Sequence, residues 1–214
     1  EHEFIDNKED AINKGYETFI PIASLCKFFR NNIDDFNKYN FRLEANKKTL
    51  KKLNAVYNSQ KPRIGISWHT GSQSHGPQRN IKLSKFSHLF KNENLDFINL
   101  QYGDHDKEIK RLSKKLRRKI FLEDCIDNKN DIDGLSAKIE ACDIVISIDN
   151  STLHLAGSLN KDTIGLIPKV SDWRWMSNTE VTPWYKSIKL FRSDGNWEKV
   201  ILRAQNYCIN KFRF

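Results

Sequence analysis

The stretch CDIVISIDNSTLHLAG, residues 142–157, decides the fold. A run of β-branched residues over 144–148 predicts a buried strand that stops at Asp149. Small polar residues follow, and apolar residues at helical spacing begin at Leu153. A strand that turns directly into a helix offers unpaired N–H groups and a partial positive charge at the helix N-terminus. The junction therefore predicts a bound nucleotide or another phosphorylated ligand.

The rest of residues 61–214 alternates strand and helix patterns. Strands are predicted over 63–68, 96–102, 119–124, 144–149, 162–167 and 187–192. Helices are predicted over 84–92 (with Ser84 as the N-cap), 106–118, 131–141, 151–159 and 197–210. This alternation predicts an α/β fold: a Rossmann-like doubly wound parallel sheet with helices on both faces. In such sheets ligands bind beyond the carboxyl ends of the strands, at the topological switch point.

Residues 1–60 differ from the remainder of the chain. An apolar segment is broken by Pro21, and residues 34–58 are rich in Lys and Asn with sparse apolar positions. We interpret 1–60 as a leader or linker, the remnant of a missing N-terminal domain, and 61–214 as the Rossmann-like domain that binds the ligand.

Composition excludes several classes of protein. The net charge is +9 over 214 residues, but the run at 107–119 carries apolar residues at helical spacing, so its lysines belong to one solvated helix face. No motif for nucleic-acid binding is present, so no nucleic-acid partner is predicted. No apolar run approaches the ~18–20 residues of a membrane span. The acidic, polar start does not resemble a secretion signal, and a cytoplasmic location is predicted.

The four cysteines are far apart and form no CxxC pair. They predict buried free thiols in a reducing compartment rather than disulfides or a metal site. The six histidines show no HxxxH or HExxH spacing, which argues against zinc.

The loop after the first strand, residues 68–83, is a candidate anion site. Gly71 and Gly76 permit a close approach of the backbone to a ligand. The donors to an anion would be the side chains of His69, Ser72, Ser74, His75 and Arg79. An ordinary polar loop is the alternative, and the neighbouring junction at Asp149 favours an anion site that the two segments share.

Three further groups are candidates for ligand contacts. Gln101 and Tyr102 end the second strand and could contact a base or a sugar, although a simple turn explains them equally well. Trp173 and Arg174 could stack on a base or pair with phosphate, or else anchor a long loop by aromatic packing. His154 is expected to lie near the phosphates as a donor.

The chain also resembles a known family. DIVISIDNSTLHLAGSL at 143–159 looks like a conserved block of the heptosyltransferase-like (family 9-like) glycosyltransferases, which have the two-domain GT-B fold. The order of the other blocks agrees with that group, in particular with bacterial tetratricopeptide-repeat proteins whose C-terminal half is such a module. These blocks are ISWHTG at 66–71, RNIKL at 79–83, NLQYGD at 99–104, DWRW at 172–175 and PWYKSIKLFR at 183–192.

The resemblance implies a glycosyltransferase donor domain, the C-terminal half of a GT-B fold, inactive without an N-terminal acceptor domain. Around the diphosphate it places Asp149, Asn150, Ser151, Thr152 and His154, faced by His69, Gly71, Ser72 and Arg79. It places Gln101 and Tyr102 near the nucleoside, with Trp173 and Arg174 closing over the donor. It assigns no general base, because related enzymes carry the catalytic carboxylate on the absent domain.

The expected partners are a nucleotide-sugar donor and a glycan, lipid or protein acceptor, with a peripheral membrane contact also possible on charge grounds. No cofactor is predicted, and no Asp-x-Asp motif indicates a metal. Two alternatives stay open: a non-catalytic nucleotide-sugar-binding module, and a basic scaffold that docks on an anionic surface.

Overall fold

The computed structural model describes residues 5, 7–18, 20–38, 41–74, 76–123 and 125–213, with the side chain of Ala23 left aside. His75 of the candidate loop and Asp124, the last residue of a predicted strand, lie outside the described residues. The chain divides into two compact units, Glu1–Asn40 and Phe41–Phe214.

The first unit holds short helices and turns. Helix α1 is Lys8–Asn13 and helix α2 is Cys26–Phe29, and 3-10 turns span Ile22–Leu25 and Ile33–Asn37. Asn32 and Asp35 form a reciprocal cap at the second turn, in which the Asp35 carboxylate accepts from the Asn32 amide at 3.0 Å. Local capping of this kind holds a segment that has few buried apolar side chains.

The second unit is built on one parallel sheet of six strands in the order β3-β2-β1-β4-β5-β6. The strands are β1 Arg63–Ser67, β2 Asp96–Asn99, β3 Ile120–Phe121, β4 Ile144–Ile148, β5 Thr163–Ile167 and β6 Ile188–Arg192. All six predicted strands are confirmed, and so is the fold class, an α/β doubly wound sheet. The strand order reverses between β1 and β4, which are hydrogen-bonded neighbours, so the switch point lies there.

Helices cover both faces of the sheet. They are α3 Lys47–Val56, α4 Gly76–Arg79, α5 Ser87–Phe90, α6 Asp106–Leu116, α7 Ile132–Ala141, α8 Ser151–Ser158 and α9 Trp197–Phe212. On one face Ile64 and Ile66 join a core with residues of α5, α6 and α9, and on the other Ile98 and Val145 join residues of α3, α7 and α8. Successive strand residues point to opposite faces, which explains this division.

A glycine in β1 is required by close packing. A Cβ added to Gly65 would lie 2.4 Å from Leu100 Cδ1 and 2.8 Å from Cys142 Sγ. Leu100 and Cys142 can therefore pack directly against the β1 backbone only because this position has no side chain.

The structure differs from the sequence interpretation at two places in these elements. Residues 41–60 pack with the sheet rather than forming a linker: Leu53 and Tyr57 are buried in the core, and the Leu43 amide donates to Ser158 O at 2.9 Å. The boundary between compact units accordingly follows Asn40, not residue 60. The prediction of Ser84 as an N-cap is wrong, because a 3-10 turn, Leu83–Phe86, begins after Lys82 and leads into α5.

The cysteines are free, as predicted, but only two of them are buried. Burial raises the pKa of Cys142 and of Cys208 to about 12. Cys125 is exposed and Cys26 is half-buried, so the prediction of burial is wrong for Cys125.

Candidate functional site

The strand-to-helix junction has the form expected of a phosphate-binding turn. Asn150 caps helix α8: its backbone is extended, and its Oδ1 accepts from the Leu153 amide at 3.3 Å. Its Nδ2 donates to Ser67 Oγ at 2.8 Å and to His69 O at 3.2 Å. The buried Asn150 side chain thus caps α8 and links it to the end of β1 across the switch point. Its role is to position the start of the helix.

The first turn of α8 supplies free donors. Ser151 is exposed at the start of the helix, and within the described residues the backbone N–H groups of Ser151 and Thr152 have no hydrogen-bond partner. The Thr152 side chain is completely buried, and its hydroxyl donates to Leu100 O at 3.5 Å. The donors open to a ligand are therefore the amide and the hydroxyl of Ser151, whereas the unpaired amide of Thr152 lies beneath them in a residue that is 0% exposed.

Arg79 lies over this junction and is paired with Asp149. Arg79 Nε is 3.1 Å from Asp149 Oδ2, and Nη1 is 3.5 Å from Asp149 O. The Asp149 side chain is 3% exposed and that of Arg79 is 18% exposed. The Nη2 group has no partner among the residues that the structure describes. Asp149 thus orients a guanidinium that keeps hydrogen-bond donors in reserve.

Gln101 fixes the loop that follows β1. Its Oε1 accepts from Ser67 Oγ and from the amides of Trp68 and His69, at 3.1, 2.9 and 2.8 Å. Its Nε2 donates to His69 O at 3.1 Å and to Tyr102 O at 2.8 Å. The side chain is buried and its bonds are made within the chain, so the structure gives Gln101 a positioning role between β1 and β2.

The next residues of the loop form a second tie to β2. Tyr102 donates its hydroxyl to Thr70 Oγ1 at 3.2 Å, and Asn80 Oδ1 accepts from the Thr70 amide at 2.7 Å. Gly71 lies beyond these bonds, with no atom within 4 Å of where a Cβ would be. The loop is thus held at Thr70, and Gly71 and Ser72 project from it.

His69 contacts a second histidine rather than Arg79. The ring centroids of His69 and His105 are 4.8 Å apart, and His105 Nδ1 is 3.4 Å from Glu108 Oε2. Burial, followed by the charge of His105, lowers the pKa of His69. His69 is a neutral ring at neutral pH, which can donate one hydrogen bond.

His154 is held by aromatic side chains beside the junction. It stacks on Trp175 at 4.9 Å between centroids, and its Nδ1 is 3.2 Å from the Tyr185 hydroxyl. A Cβ added to Gly157 would lie 2.4 Å from Tyr185, so the glycine makes room for this contact. Burial lowers the pKa of His154, and the charges of Asp149 and Arg174 also act on it.

The loop after β5 brings Trp173 and Arg174 to the same region. Arg174 Nη1 is 3.0 Å from Asp172 Oδ1, and its guanidinium lies 4.4 Å from the Trp173 ring centroid. The Trp173 side chain is exposed. Arg192, at the end of β6, donates to Thr179 O at 2.8 Å and to Trp175 O, which anchors the loop. Trp173 therefore projects from an anchored loop.

The structure also shows a cavity that the sequence analysis did not identify. It measures about 230 Å³ and lies beyond the carboxyl ends of β2 and β3. Its lining includes Tyr102, Glu123, Asn128 and Lys138. The available signal was a lysine on an apolar helix face, because Lys138 follows Leu135 by three residues and precedes Ile139.

Most of the predicted site residues lie along one edge of the sheet, around the end of β1 and the start of α8. Arg79, Asp149, His154 and Arg174 are close enough for their charges to act on one another. Four of the predicted residues have buried side chains that bond within the chain, namely Gln101, Asp149, Asn150 and Thr152. No group of three or more His, Cys, Asp or Glu side chains in the described ranges could hold a metal ion. None of the helices described combines the length and apolarity required to cross a bilayer.

Comparison with known proteins identifies the fold. No protein-family model matches the chain. Protein FlbA of Caulobacter vibrioides is 33% identical over 149 residues, which are 67% of this chain and 24% of FlbA. The glycosyl transferase family 9 structure from Veillonella parvula superimposes with a TM-score of 0.58 at 10% identity, over 79% of this chain and 51% of the other.

The Escherichia coli ADP-heptose LPS heptosyltransferase II gives a TM-score of 0.57 at 12% identity, over 87% of this chain and 59% of the other. The chain thus spans about a quarter of FlbA and somewhat more than half of each transferase. At these identities the two structures show a shared fold: this chain has the α/β fold of part of a GT-B-like glycosyltransferase.

Proposed function

We propose that this chain is the donor domain of a GT-B-type glycosyltransferase of the family 9-like group, which binds a nucleotide-diphosphate sugar. Three observations support the proposal. The fold is shared with two glycosyltransferases. The strand order reverses between β1 and β4, where α/β sheets bind ligands. The groups gathered at that edge are donors suited to phosphate.

The observation that carries the proposal is the free N-terminus of α8 beside Arg79. The amides of Ser151 and Thr152 have no partner within the described residues, and Arg79 is fixed at the same junction by Asp149 at 3.1 Å. Helix N-terminal amides and an oriented guanidinium are the two groups that proteins use most readily to bind a diphosphate. Asn150 and Asp149 serve by holding them in place.

The remaining candidates complete the donor site. His154, neutral at its lowered pKa, is a hydrogen-bond donor to the phosphates from the next turn of α8. Trp173 and Arg174 close over the donor from the anchored loop, with the exposed indole stacking on a planar or sugar ring. His69, Gly71 and Ser72 face the diphosphate from the first loop, and Tyr102 lies toward the nucleoside.

The chemistry that this arrangement supports is stabilisation of the leaving group. An acceptor hydroxyl forms a bond to the anomeric carbon while the bond from that carbon to the diphosphate breaks, and the electron pair leaves on the diphosphate. Amides and guanidinium that are already oriented stabilise this charge as it develops. The hydroxyl proton passes to a base on an acceptor domain, and a glycan, lipid or protein supplies the hydroxyl. No metal and no cofactor has a part in this scheme.

A titration of nucleoside diphosphates tests the proposal. Calorimetry of the 214-residue chain with UDP, GDP, ADP, CDP and dTDP is expected to show saturable binding to at least one, weakened tenfold or more by Arg79→Ala. Loss of an oriented charge-assisted bond to phosphate is worth ~1.5–3 kcal/mol. Arg42→Ala is the matched control, because Arg42 pairs with Glu140 at 3.1 Å away from the junction. Absence of binding to all five would overturn the proposal in favour of a scaffold.

A second candidate is a non-catalytic nucleotide-sugar-binding module. It uses the same phosphate-binding groups and needs no general base, and the carboxylates beside those groups, Asp149 and Asp172, are each ion-paired with an arginine. Turnover of a labelled donor by a protein that includes the acceptor domain distinguishes the two: transfer supports the enzyme, and binding without transfer supports the module.

A further inference from the structure

The cavity beyond β2 and β3 contains a buried pair of opposite charges. Lys138 Nζ lies 3.0 Å from Glu123 Oε2, and the two side chains are 1% and 7% exposed. The cavity of about 230 Å³ is lined by both of them. Burying two charges costs several kcal/mol per ion unless their hydrogen-bonding capacity is used, so the unused capacity of this pair indicates what the cavity can bind.

Both side chains keep hydrogen-bonding capacity in reserve. Lys138 donates to Asn128 Oδ1 at 3.1 Å and pairs with Glu123, so a third N–H of its ammonium has no partner within the described ranges. Glu123 Oε2 is enclosed within the ion pair, and Tyr57 lies near the same carboxylate. The acceptor open to the cavity is therefore Oε1, which accepts no hydrogen bond from a described residue. The pair therefore presents one donor and one acceptor side by side.

Asn128 is not available to a ligand in the same way. Its Nδ2 donates to Asn99 O at 3.3 Å and to Gln101 O at 2.9 Å, and its Oδ1 accepts from Lys138. It fixes the position of the ammonium relative to the end of β2. The donor and acceptor of the cavity are thus held rigidly rather than carried on mobile side chains.

The cavity lies at the right distance from the phosphate site to hold the base of the same ligand. We call the space beyond the carboxyl ends of two neighbouring strands a mouth. The proposed phosphate site is at the β1/β4 mouth, and the cavity is at the β2/β3 mouth, two strands away along the same edge. Neighbouring strands are ~4.8 Å apart, so the two mouths are separated by roughly 10 Å. A nucleoside diphosphate has about this reach from base to outer phosphate.

Resting on the proposed function, we infer that Glu123 and Lys138 are specificity-determining residues that read the edge of the nucleobase and select keto bases (guanine, uracil and thymine) over amino bases. A keto base presents a carbonyl oxygen beside a ring N–H. The ammonium donates to the carbonyl oxygen, and the carboxylate accepts from the ring N–H. In adenine and cytosine the acceptor is a ring nitrogen and the adjacent donor a weaker exocyclic amine.

Competition among five nucleoside diphosphates tests the inference, since they share the diphosphate and differ in the base, with dTDP differing also in its deoxyribose. The wild-type chain is expected to bind GDP, UDP or dTDP at least tenfold more tightly than ADP and CDP. The double variant Glu123→Gln/Lys138→Met removes both charges together and is expected to reduce that preference to less than threefold. Glu140→Gln/Lys161→Met is the matched control, because this pair, 3.8 Å apart, lies near the amino end of the sheet.

The outcomes separate the inference from the function on which it rests. Equal binding of all five nucleotides by the wild type, or an unchanged preference in the double variant, overturns the inference and leaves the donor domain standing. Absence of binding to any nucleotide overturns both. If circular dichroism shows that the double variant does not fold, Glu123→Gln alone carries the test, because an amide of equal size keeps the packing and removes the carboxylate.

Discussion

The two mouths at the carboxyl edge of the sheet are built in opposite ways. At the β1/β4 mouth the buried polar side chains are bonded to one another, and the groups that we propose to contact a ligand are backbone amides and a guanidinium. At the β2/β3 mouth there is a cavity, and the groups that we propose to contact a ligand are two buried charged side chains. Backbone donors at a packed strand end suit the phosphates of any nucleotide. A cavity with a donor and an acceptor in fixed positions suits one kind of base.

The largest expected effect concerns the stability of the two ion pairs. Lys138→Met is expected to lower the free energy of unfolding by ~3–5 kcal/mol, because it leaves Glu123 charged and buried without a partner. Arg79→Ala is expected to cost clearly less, since the Arg79 side chain is 18% exposed and its removal admits water to Asp149. Urea denaturation of both variants measures the difference. Equal losses of unfolding free energy in the two variants would mean that Glu123 and Asp149 are equally shielded from water, which would contradict the difference between the two mouths.

A smaller effect concerns pH at the β1/β4 mouth. Burial lowers the pKa of His154 in the native state, whereas a histidine in the unfolded chain titrates near pH ~6.5. The unfolded state therefore binds more protons below that pH, so stability is lost as the pH falls, by at most ~1.4 kcal/mol per pH unit for this residue.

Denaturation between pH 5 and pH 7.5, with His154→Gln beside wild type, measures this contribution. The variant is expected to lose stability less steeply on acidification. His88→Gln is the matched control, because it makes the same substitution at an exposed position of α5. A slope identical in wild type and His154→Gln would show that His154 is not kept neutral by its contacts with Trp175 and Tyr185.

The sheet could be predicted from sequence because its strands are continuous apolar runs, and both faces of a parallel sheet are covered. The β4–α8 junction was identifiable for the same local reason: the strand, the Asn150 cap and the helix adjoin in sequence. Helix α3 was missed because Leu53 and Tyr57 lie in a stretch, residues 34–58, that is rich in lysine and asparagine. Their burial depends on α7, which is distant along the chain.

The residues of the candidate site were predictable by type but not by orientation. Thr152 and Ser151 are adjacent and chemically alike, yet the structure buries one hydroxyl and exposes the other. Gln101 lies at a strand end as predicted, but its bonds to the loop at 67–69 depend on the pairing of β1 with β2. Lys138 and Glu123 are 15 positions apart, and only the folded chain brings them together at the cavity.

The most direct test of the central claim is the response of the backbone amides at the start of α8 to a nucleoside diphosphate. Titration of the nitrogen-15-labelled chain, followed by two-dimensional NMR, reports each amide separately. We expect the largest shifts at Ser151 and Thr152, saturating with the ligand, and needing at least tenfold more ligand to saturate in Arg79→Ala. Shifts confined to another part of the chain, with these two amides unchanged, would contradict the claim.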